Sequence, residues 1–228
     1  MPRPAPERDT AQRVLDIAAR LVQTRGFNGF SYADIAAELD VTKATLHYHF
    51  PTKAELGRAL IARYGHDFAA LLAEIDGNAE SGEHAKLQLY VKIYADVLGQ
   101  DRMCMCGMLA AEYATLPEAM QRELQRYFDI NEGWLARVLD RGRRRRELSF
   151  SGSPLDQGRL LVGALEGAMM LARSYADASR FRSATDRLLA QLQPLAVVAA
   201  RPRATAGNAR SSGAARPAAR NAVARKRA

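Results

Sequence analysis

The chain has 228 residues, 48% of them hydrophobic and 25% charged, which is typical of a globular protein that buries a core. Its start, MPRPAPERDT, carries prolines and charges where a signal peptide needs an apolar run, and no apolar stretch reaches the roughly 18 residues of a membrane span. We therefore expect a cytoplasmic protein whose two cysteines, Cys104 and Cys106, remain thiols.

The net charge of +8 is concentrated at one end of the sequence. Residues 201–228 contain eight basic and no acidic side chains, so the first 200 residues are neutral overall. The segment 199–228 has too few large apolar side chains to offset the entropy of ordering, which predicts a disordered basic tail. A nucleic-acid-binding surface elsewhere in the chain must therefore be local.

Helical periodicity runs through most of the chain. Val14, Ile17 and Leu21 recur at helical spacing, and Gly26 follows as a stop. Helix starts are marked by a hydroxyl residue with a carboxylate three positions later, as at Ser31. No long segment alternates with a period of two, so we predict an all-α fold without a sheet. The predicted helices are 9–25, 32–39, 43–50, 53–76, 82–100, 103–115, 117–146, 154–175 and 179–198.

Residues 39–53, LDVTKATLHYHFPTK, contain a helix of about two turns with little apolar surface. Asp40 can adopt the left-handed conformation in the turn before it, and this spacing is that of a helix-turn-helix. Leu46 and Phe50 can anchor the short helix inward, while its other side chains suit phosphates and base edges. The pattern predicts a recognition helix that lies in a major groove.

The stretch FNGFSYADIAAELDVTKATLHYHFPTKAEL resembles the DNA-binding domain of TetR-family transcriptional repressors. The resemblance implies a three-helix DNA-binding domain, 1–53, followed by a larger ligand-binding and dimerisation domain, 54–198. It also implies binding to a near-palindromic operator in double-stranded DNA. By the same resemblance, Ser31, Thr42, Tyr48, His49 and Lys53 contact phosphates, and Lys43, Ala44 and Thr45 read base edges.

Two positions depart from the family pattern. Family members usually have glycine where this chain has Asp40, and an aromatic residue, commonly tyrosine, where it has His47. We still count His47 among the DNA-binding residues, and its imidazole could make that phosphate contact sensitive to pH.

Metal binding and catalysis are the alternatives from other classes. His47 and His49 lie two positions apart on a helix, so their side chains diverge by about 200° and cannot chelate one ion. A helical ligand-binding enzyme would need a nucleophile with its base, or a glycine-rich phosphate loop, and we find neither pattern. We therefore expect no metal, no cofactor and no enzymatic activity.

The last two predicted helices are candidates for a homodimer interface through residues 154–198. Gly163 and Gly167 lie in an apolar helix, where small residues allow close helix packing. With Leu161, Leu165, Leu188 and Leu192 they predict a four-helix bundle between two copies. The run 143–146 of four arginines follows a long helix, and we interpret it as a solvated helix terminus.

Soft and aromatic side chains in the second half could line an effector cavity. Two carboxylates, Glu112 and Glu166, are flanked by apolar residues and need partners; they either hold arginines between helices or line the cavity. The candidate ligand-binding residues are Tyr90, Tyr94, Met103, Cys104, Met108, Glu112, Phe128, Trp134, Glu166 and Met169.

The segment CMCGMLAAEYATLPEAM resembles the sixth-helix region of family members whose cysteine senses electrophiles, with Cys104 nearest the matching position. A helix that begins at 103, together with Arg102, would lower the pKa of this thiol. The alternative is that both cysteines are small buried hydrophobic residues.

The sequence thus predicts a homodimeric repressor that a small-molecule effector of unknown identity releases from DNA. The alternatives are a thiol-based electrophile or redox sensor acting through Cys104, and an activator or nucleoid-associated factor that uses the tail.

Overall fold

The structure is a computed structural model that describes residues 7–78 and 81–194. Every regular element in this part of the chain is a helix, which confirms the all-α prediction. A short 3-10 turn, Tyr113–Thr115, follows the sixth helix. The helices are α1 (Glu7–Arg25), α2 (Tyr32–Leu39), α3 (Lys43–His49), α4 (Lys53–Gly77), α5 (Glu83–Leu98), α6 (Met105–Ala111), α7 (Glu118–Arg144), α8 (Pro154–Ser174) and α9 (Ala178–Ala190).

Local capping signals define the helix-turn-helix. The Ser31 N–H donates to Asp34 Oδ2 at 2.7 Å, and the Thr45 N–H donates to Thr42 Oγ1 at 3.2 Å. Asp40 ends α2 in the left-handed region with φ of 54°, as its position in the turn predicts. Because each signal acts within a few residues, this part of the fold follows directly from the sequence.

α6 and α9 differ most from the sequence prediction. α6 covers Met105–Ala111 rather than 103–115; it begins late because the Cys104 backbone is not helical, with φ of −53° and ψ of 125°, and the Met103 N–H before it donates to Gln23 O at 3.1 Å on α1. α9 ends at Ala190, and Pro194 follows four residues later, where a proline disfavours continuation of a helix. The predicted end at 198 and the basic tail lie outside the described residues.

A buried core joins the helices. α1, α2 and α3 pack around Val14, Ile35 and Leu46, all almost fully buried, and α4 runs from this group along α7. α7 packs against α8, and α8 against α9. None of the helices in 7–78 and 81–194 is long and apolar enough to cross a membrane.

A buried ion cluster joins the start of α5 to the end of α7. Glu83 is fully buried, and its carboxylate accepts from Arg141 Nε at 3.0 Å and from Arg145 Nη1 at 3.1 Å. The four arginines 143–146 are themselves exposed, in line with a solvated helix terminus. Arg145 adds the contact with Glu83, which sequence reasoning did not foresee.

Candidate functional site

The short helix α3 presents a polar face. Thr42, Lys43, Ala44 and His47 are exposed, whereas Leu46 points inward and is 1% exposed. Tyr48 is 71% exposed, and its ring lies 5.2 Å from that of His49, which is partly buried. Thr45 is partly buried, with its hydroxyl 3.0 Å from the Thr42 hydroxyl. The arrangement leaves one helix face available for a groove-shaped partner.

Four of the predicted DNA-binding residues meet in one surface depression of about 340 Å³. Ser31 lies at the start of α2, Lys43 and His47 lie on α3, and Lys53 starts α4. The His47 Nδ1 is 3.0 Å from the Pro51 carbonyl oxygen, which can only accept, so this nitrogen carries the proton in that contact. The depression brings together positive and hydrogen-bonding groups from three helices.

Lys53 has internal contacts as well. Its ammonium donates to Phe27 O at 2.6 Å and to Phe30 O, and lies 4.6 Å and 4.3 Å from the centroids of their rings. Partial burial lowers the pKa of this ammonium. Lys53 therefore stabilises the turn between α1 and α2, and its phosphate contact stays a prediction.

A small inner cavity, with room for about one water molecule, lies between α4, α5, α7 and α8. Tyr94, Cys104 and Met169, three of the residues predicted to bind a ligand, line it. Tyr90 and Trp134 lie next to it, with stacked rings 5.6 Å apart. The remaining lining residues are Tyr64, Phe68, Ile93, Val97 and Tyr127, which sequence reasoning missed although Tyr64 and Phe68 share a helix face.

An outer groove of about 310 Å³ runs between α4 and α7. Tyr127 lines both this groove and the inner cavity, so its ring separates the two spaces. The groove also includes His66, Glu123 and Ile130, the last of which is 45% exposed. Tyr127 is the one described lining residue that the groove and the inner cavity share.

Glu112 corrects one of the predicted ligand contacts. Its carboxylate accepts from the Phe27 N–H at 2.6 Å and from the Asn28 N–H at 3.2 Å, in the turn after α1. It therefore holds backbone amides rather than an arginine or a cavity wall. Met103 lies against α1, and Met108 and Phe128 are partly exposed, so these three do not line the inner cavity either.

The expectation of a low thiol pKa is wrong. Cys104 is the N-cap of α6 and is 3% exposed, and burial raises its pKa well above the usual range, with the Glu166 carboxylate adding to the effect. Cys106 is fully buried, and burial raises its pKa as well. Because burial raises the pKa of both thiols, both cysteines are protonated at neutral pH.

Glu166 lies beside Cys104 on the opposing helix α8. Burial raises the pKa of its carboxyl to about 7, and a hydrogen bond from the Cys104 thiol partly offsets this. A Cβ at Gly107 would collide with Glu166 Oε2, so the absence of a side chain there makes room for the carboxylate. Glu166 contacts Cys104, which lines the inner cavity, but is not itself among the residues that line it.

The leucines predicted for the dimer interface lie mostly inside the chain. Leu161, Leu165 and Leu192 are at most 2% exposed, because they pack in the core of the chain, and Leu188 is partly buried. The opposite face of α8 is exposed and apolar instead. It carries Leu160, Met170 and Leu171, which are 55% to 59% exposed, with Gly163 and Gly167, beside whose Cβ positions there is open space.

Side chains that could bind a metal do not gather in the described part of the chain. Among these residues there is no group of three or more histidine, cysteine, aspartate or glutamate side chains placed to hold one ion.

Comparison with known proteins gives consistent matches. Residues 14–60 match the model of the tetR family of bacterial regulatory proteins. The HTH-type transcriptional repressor NemR of Escherichia coli K12 is 26% identical over 173 residues, 73% of this chain and 85% of NemR. The transcriptional regulator AcuR of Cereibacter sphaeroides is 26% identical over 75% of this chain and 80% of AcuR.

Solved structures show the same fold. A TetR-family transcriptional regulator from Agrobacterium tumefaciens superimposes with a TM-score of 0.80 and 29% identity, over 82% of this chain and 100% of that one. The reduced form of E. coli NemR gives a TM-score of 0.74 and 23% identity, over 83% of this chain and 100% of that one.

Proposed function

Because the chain belongs to the TetR family of transcriptional regulators, we propose that it is a homodimeric repressor that a small molecule in the inner cavity releases from DNA. The observation that carries this proposal is the exposed polar face of α3. It meets Ser31 and Lys53 in one depression, at the spacing of a helix-turn-helix. In a bacterial cell such a protein works in the cytoplasm, where the DNA is.

The site assigns different tasks to different side chains. Phosphate contacts from Ser31, Thr42, Tyr48, His49 and Lys53 would set the orientation of the protein on the duplex, with His47 adding a contact at the edge of α3. Lys43, Ala44 and Thr45 stand at the start of α3, the end of a recognition helix that reaches base edges. Specificity would therefore depend on three positions, and overall affinity on the others.

The exposed face of α8 supports a dimer. Leu160, Met170 and Leu171 form an apolar surface that a second copy can bury, and Gly163 and Gly167 let a second helix approach closely. Two α3 helices can occupy successive major grooves only if two copies are joined at a fixed distance. The interface we propose is thus the outward face of α8, within the predicted range 154–198.

Contacts on both sides of α6 support a route from the cavity to the DNA-binding helices. The Met103 N–H and the Glu112 carboxylate hold the end of α1 and the turn after it, and Cys104 between them lines the cavity. Arg173 on α8 donates to Thr24 O at 3.1 Å and to Asp101 O at 2.9 Å. A ligand that favours a shifted α6 would change the spacing of the two α3 helices through its differential affinity for the two states.

We propose a DNA-binding domain of residues 1–53 and a ligand-binding domain of residues 54–198. Lys53 begins α4, and the residues that line the inner cavity all follow it in the chain. The basic residues beyond 200 would add affinity for any DNA without adding specificity.

Thiol-based sensing through Cys104 is the second candidate. Cys104 lines the inner cavity, and the fold matches NemR, whose structure is described as a reduced form. We test it by treating wild type, Cys104→Ser and Cys106→Ser with a maleimide and measuring operator affinity. If wild type keeps its affinity while mass spectrometry shows Cys104 modified, reversible ligand binding is the correct alternative.

Selection of binding sites from a random DNA library tests the main proposal. Wild type should enrich a near-palindrome whose half-sites lie about one helical turn, or a multiple of it, apart. Lys43→Ala and Thr45→Ala should change the enriched sequence. Lys92→Ala is the matched control, since Lys92 is exposed on α5 and pairs with Asp96, and it should enrich the wild-type site. A library without any enriched site, or Lys43→Ala and Thr45→Ala variants that keep the wild-type site, would refute the proposal.

A further inference from the structure

Three buried polar side-chain atoms on α7 and α8 have no hydrogen-bond partner within the described residues: Tyr127 Oη, Trp134 Nε1 and Glu166 Oε1. A buried polar group without a partner costs about 1–3 kcal/mol, so each such group calls for an explanation, such as a bound molecule. Tyr127 is 4% exposed and lines the cavity, and Trp134 is 3% exposed. Glu166 lies beside Cys104, which also lines the cavity, so the unpartnered atoms of Tyr127 and Glu166 point to a ligand site there.

The charge of the site selects the kind of ligand. Glu166 has no basic partner among the ion pairs of residues 7–78 and 81–194. The titratable groups that face it are neutral at pH 7, because burial raises the pKa of each tyrosine and cysteine among them. They are Tyr64 on α4, Tyr90 and Tyr94 on α5, and Cys104 and Cys106 at α6. A carboxylate without a counter-ion disfavours an anionic ligand and favours a cation.

The aromatic side chains that line the cavity also favour a cationic ligand. The Phe68 ring lies 5.4 Å from the Tyr127 ring and 6.2 Å from the Tyr90 ring, and Tyr64 lies 5.8 Å from Tyr127. The faces of such rings carry negative potential and attract organic cations, above all quaternary ammonium groups. A cluster of rings beside an unpaired carboxylate is therefore suited to a positively charged nitrogen with an apolar body.

We propose that the effector of the inner cavity is a small organic cation, which lies among Tyr64, Phe68, Tyr94 and Tyr127 and pairs with the Glu166 carboxylate. This inference rests on the proposed ligand-responsive repressor and names the chemical class of its effector. The charge of the cation supplies the counter-ion that Glu166 lacks, and its apolar body contacts the rings.

The cation reaches the cavity through the outer groove. Because the inner cavity has room for about one water molecule, an organic cation fits only when the Tyr127 ring moves and joins the cavity to the groove of about 310 Å³. Met169 on the opposite wall can adjust, since methionine side chains are flexible. Movement of Tyr127 separates α4 from α7, and α4 begins at Lys53 in the DNA-binding depression.

The pairing makes binding depend on pH. Glu166 must be ionised to pair with a cation, and its pKa is raised to about 7 by burial. Affinity for the cation should therefore increase about tenfold between pH 6 and pH 8 and level off above that. An uncharged ligand of the same shape should show no such increase.

The test uses benzyltrimethylammonium and its uncharged isostere neopentylbenzene, which replaces the nitrogen by carbon. Trp134 is the single tryptophan of the chain and lies beside the cavity, so its fluorescence reports binding without DNA. Wild type at pH 8 should bind the cation at least about tenfold more tightly than the isostere. Glu166→Gln should lose that preference and its pH dependence, and should bind the isostere as wild type does.

Glu118→Gln is the matched control, because Glu118 is 81% exposed at the start of α7 and lines neither the outer groove nor the inner cavity. It should bind the cation as wild type does. The proposal is overturned if wild type binds both probes equally or neither, or if Glu118→Gln loses the cation while Glu166→Gln retains it. The comparison of the two probes across pH on wild type needs no variant, so a variant that fails to fold does not remove the test. A protein that binds the cation but enriches no DNA site would refute the repressor and leave the cation site in place.

Discussion

Single side chains connect the turn after α1 to the rest of the chain. Glu112 accepts two backbone N–H groups there, and Lys53 donates to two backbone carbonyls of the same turn. A hydrogen bond between a charged side chain and a backbone group is stronger than one between two neutral groups. The position of the helix-turn-helix relative to α6 therefore depends on two charged residues that lie outside α3.

Glu112→Ala should lower the free energy of unfolding by about 1–3 kcal/mol, because the Phe27 N–H loses its acceptor. Glu118→Ala is the control, since that carboxylate is 81% exposed and should change stability by less than about 0.5 kcal/mol. Urea unfolding followed by circular dichroism measures both. If wild type and Glu112→Ala are equally stable, water accepts the hydrogen bonds of these backbone N–H groups as well as the Glu112 carboxylate does.

Lys53→Ala should weaken binding to every DNA sequence and reduce the salt dependence by about one ion, since a phosphate contact carries no sequence information. It should also destabilise the protein, because Phe27 O and Phe30 O lose their donor. Lys43→Ala should weaken DNA binding without loss of stability, as Lys43 is exposed. DNA affinity measured across a salt series reports the phosphate contact, and urea unfolding reports the stability. If the salt dependence of DNA affinity is the same for Lys53→Ala as for wild type, the role of Lys53 is limited to the turn after α1.

The raised pKa of Glu166 should appear in the stability of the protein. The folded carboxyl has a pKa of about 7 against 4.5 when unperturbed, so the folded state holds the proton more tightly and loses stability as pH rises through this range. Glu166→Gln should therefore match wild type at pH 4 and exceed it at pH 8, by on the order of 2–3 kcal/mol. Urea unfolding at both pH values measures this difference in stability. If wild type instead gains stability relative to Glu166→Gln as pH rises, the pKa of Glu166 is not raised in the folded protein.

Individual helices differ in how far the sequence determines their placement. The helix-turn-helix was predictable, because its caps, the turn at Asp40 and the stop before Pro51 act within a few residues. α8 was not, since apolar side chains lie on both its faces and periodicity alone does not decide which face turns inward. α6 began later than expected because the Cys104 backbone is not helical, in a segment that the Met103 N–H connects to α1.

The sequence pattern predicted only some of the residues that line the inner cavity. Aromatic residues on α5 and α7 were identifiable as candidates, but the partners Tyr64 and Tyr127 depend on how four helices rotate about their axes. The raised pKa of the cysteines likewise depends on burial and on Glu166, far away in sequence. Composition and spacing carry no information about either.

Charged residues on the outward face of α8 should separate a dimer. Leu160→Glu with Met170→Glu should give a folded monomer by light scattering and abolish specific DNA binding, because both positions are exposed in one chain. Leu71→Glu, at an exposed leucine on α4, is the control and should remain dimeric. A double variant that stays dimeric would move the interface elsewhere.

The chain carries a helix-turn-helix near its start and eight basic side chains without an acidic one in residues 201–228. Removal of residues 201–228 should reduce nonspecific affinity and its salt dependence and leave the selected DNA site unchanged, because we expect these basic side chains to contact phosphates, which carry no sequence information. Competition between operator and random DNA at two salt concentrations measures the change. A truncated protein that selects a different site would show that the segment reads bases.

The central claim is that the polar face of α3 reads an operator as part of a dimer, and footprinting on the DNA that flanks the protein's own gene tests it most directly. Wild type should protect one bounded, near-palindromic segment with two half-sites about one helical turn, or a multiple of it, apart. Lys43→Ala with Thr45→Ala should abolish that protection at the same protein concentration while its circular dichroism spectrum stays that of wild type. Protection by the double variant identical to that by wild type would contradict the account.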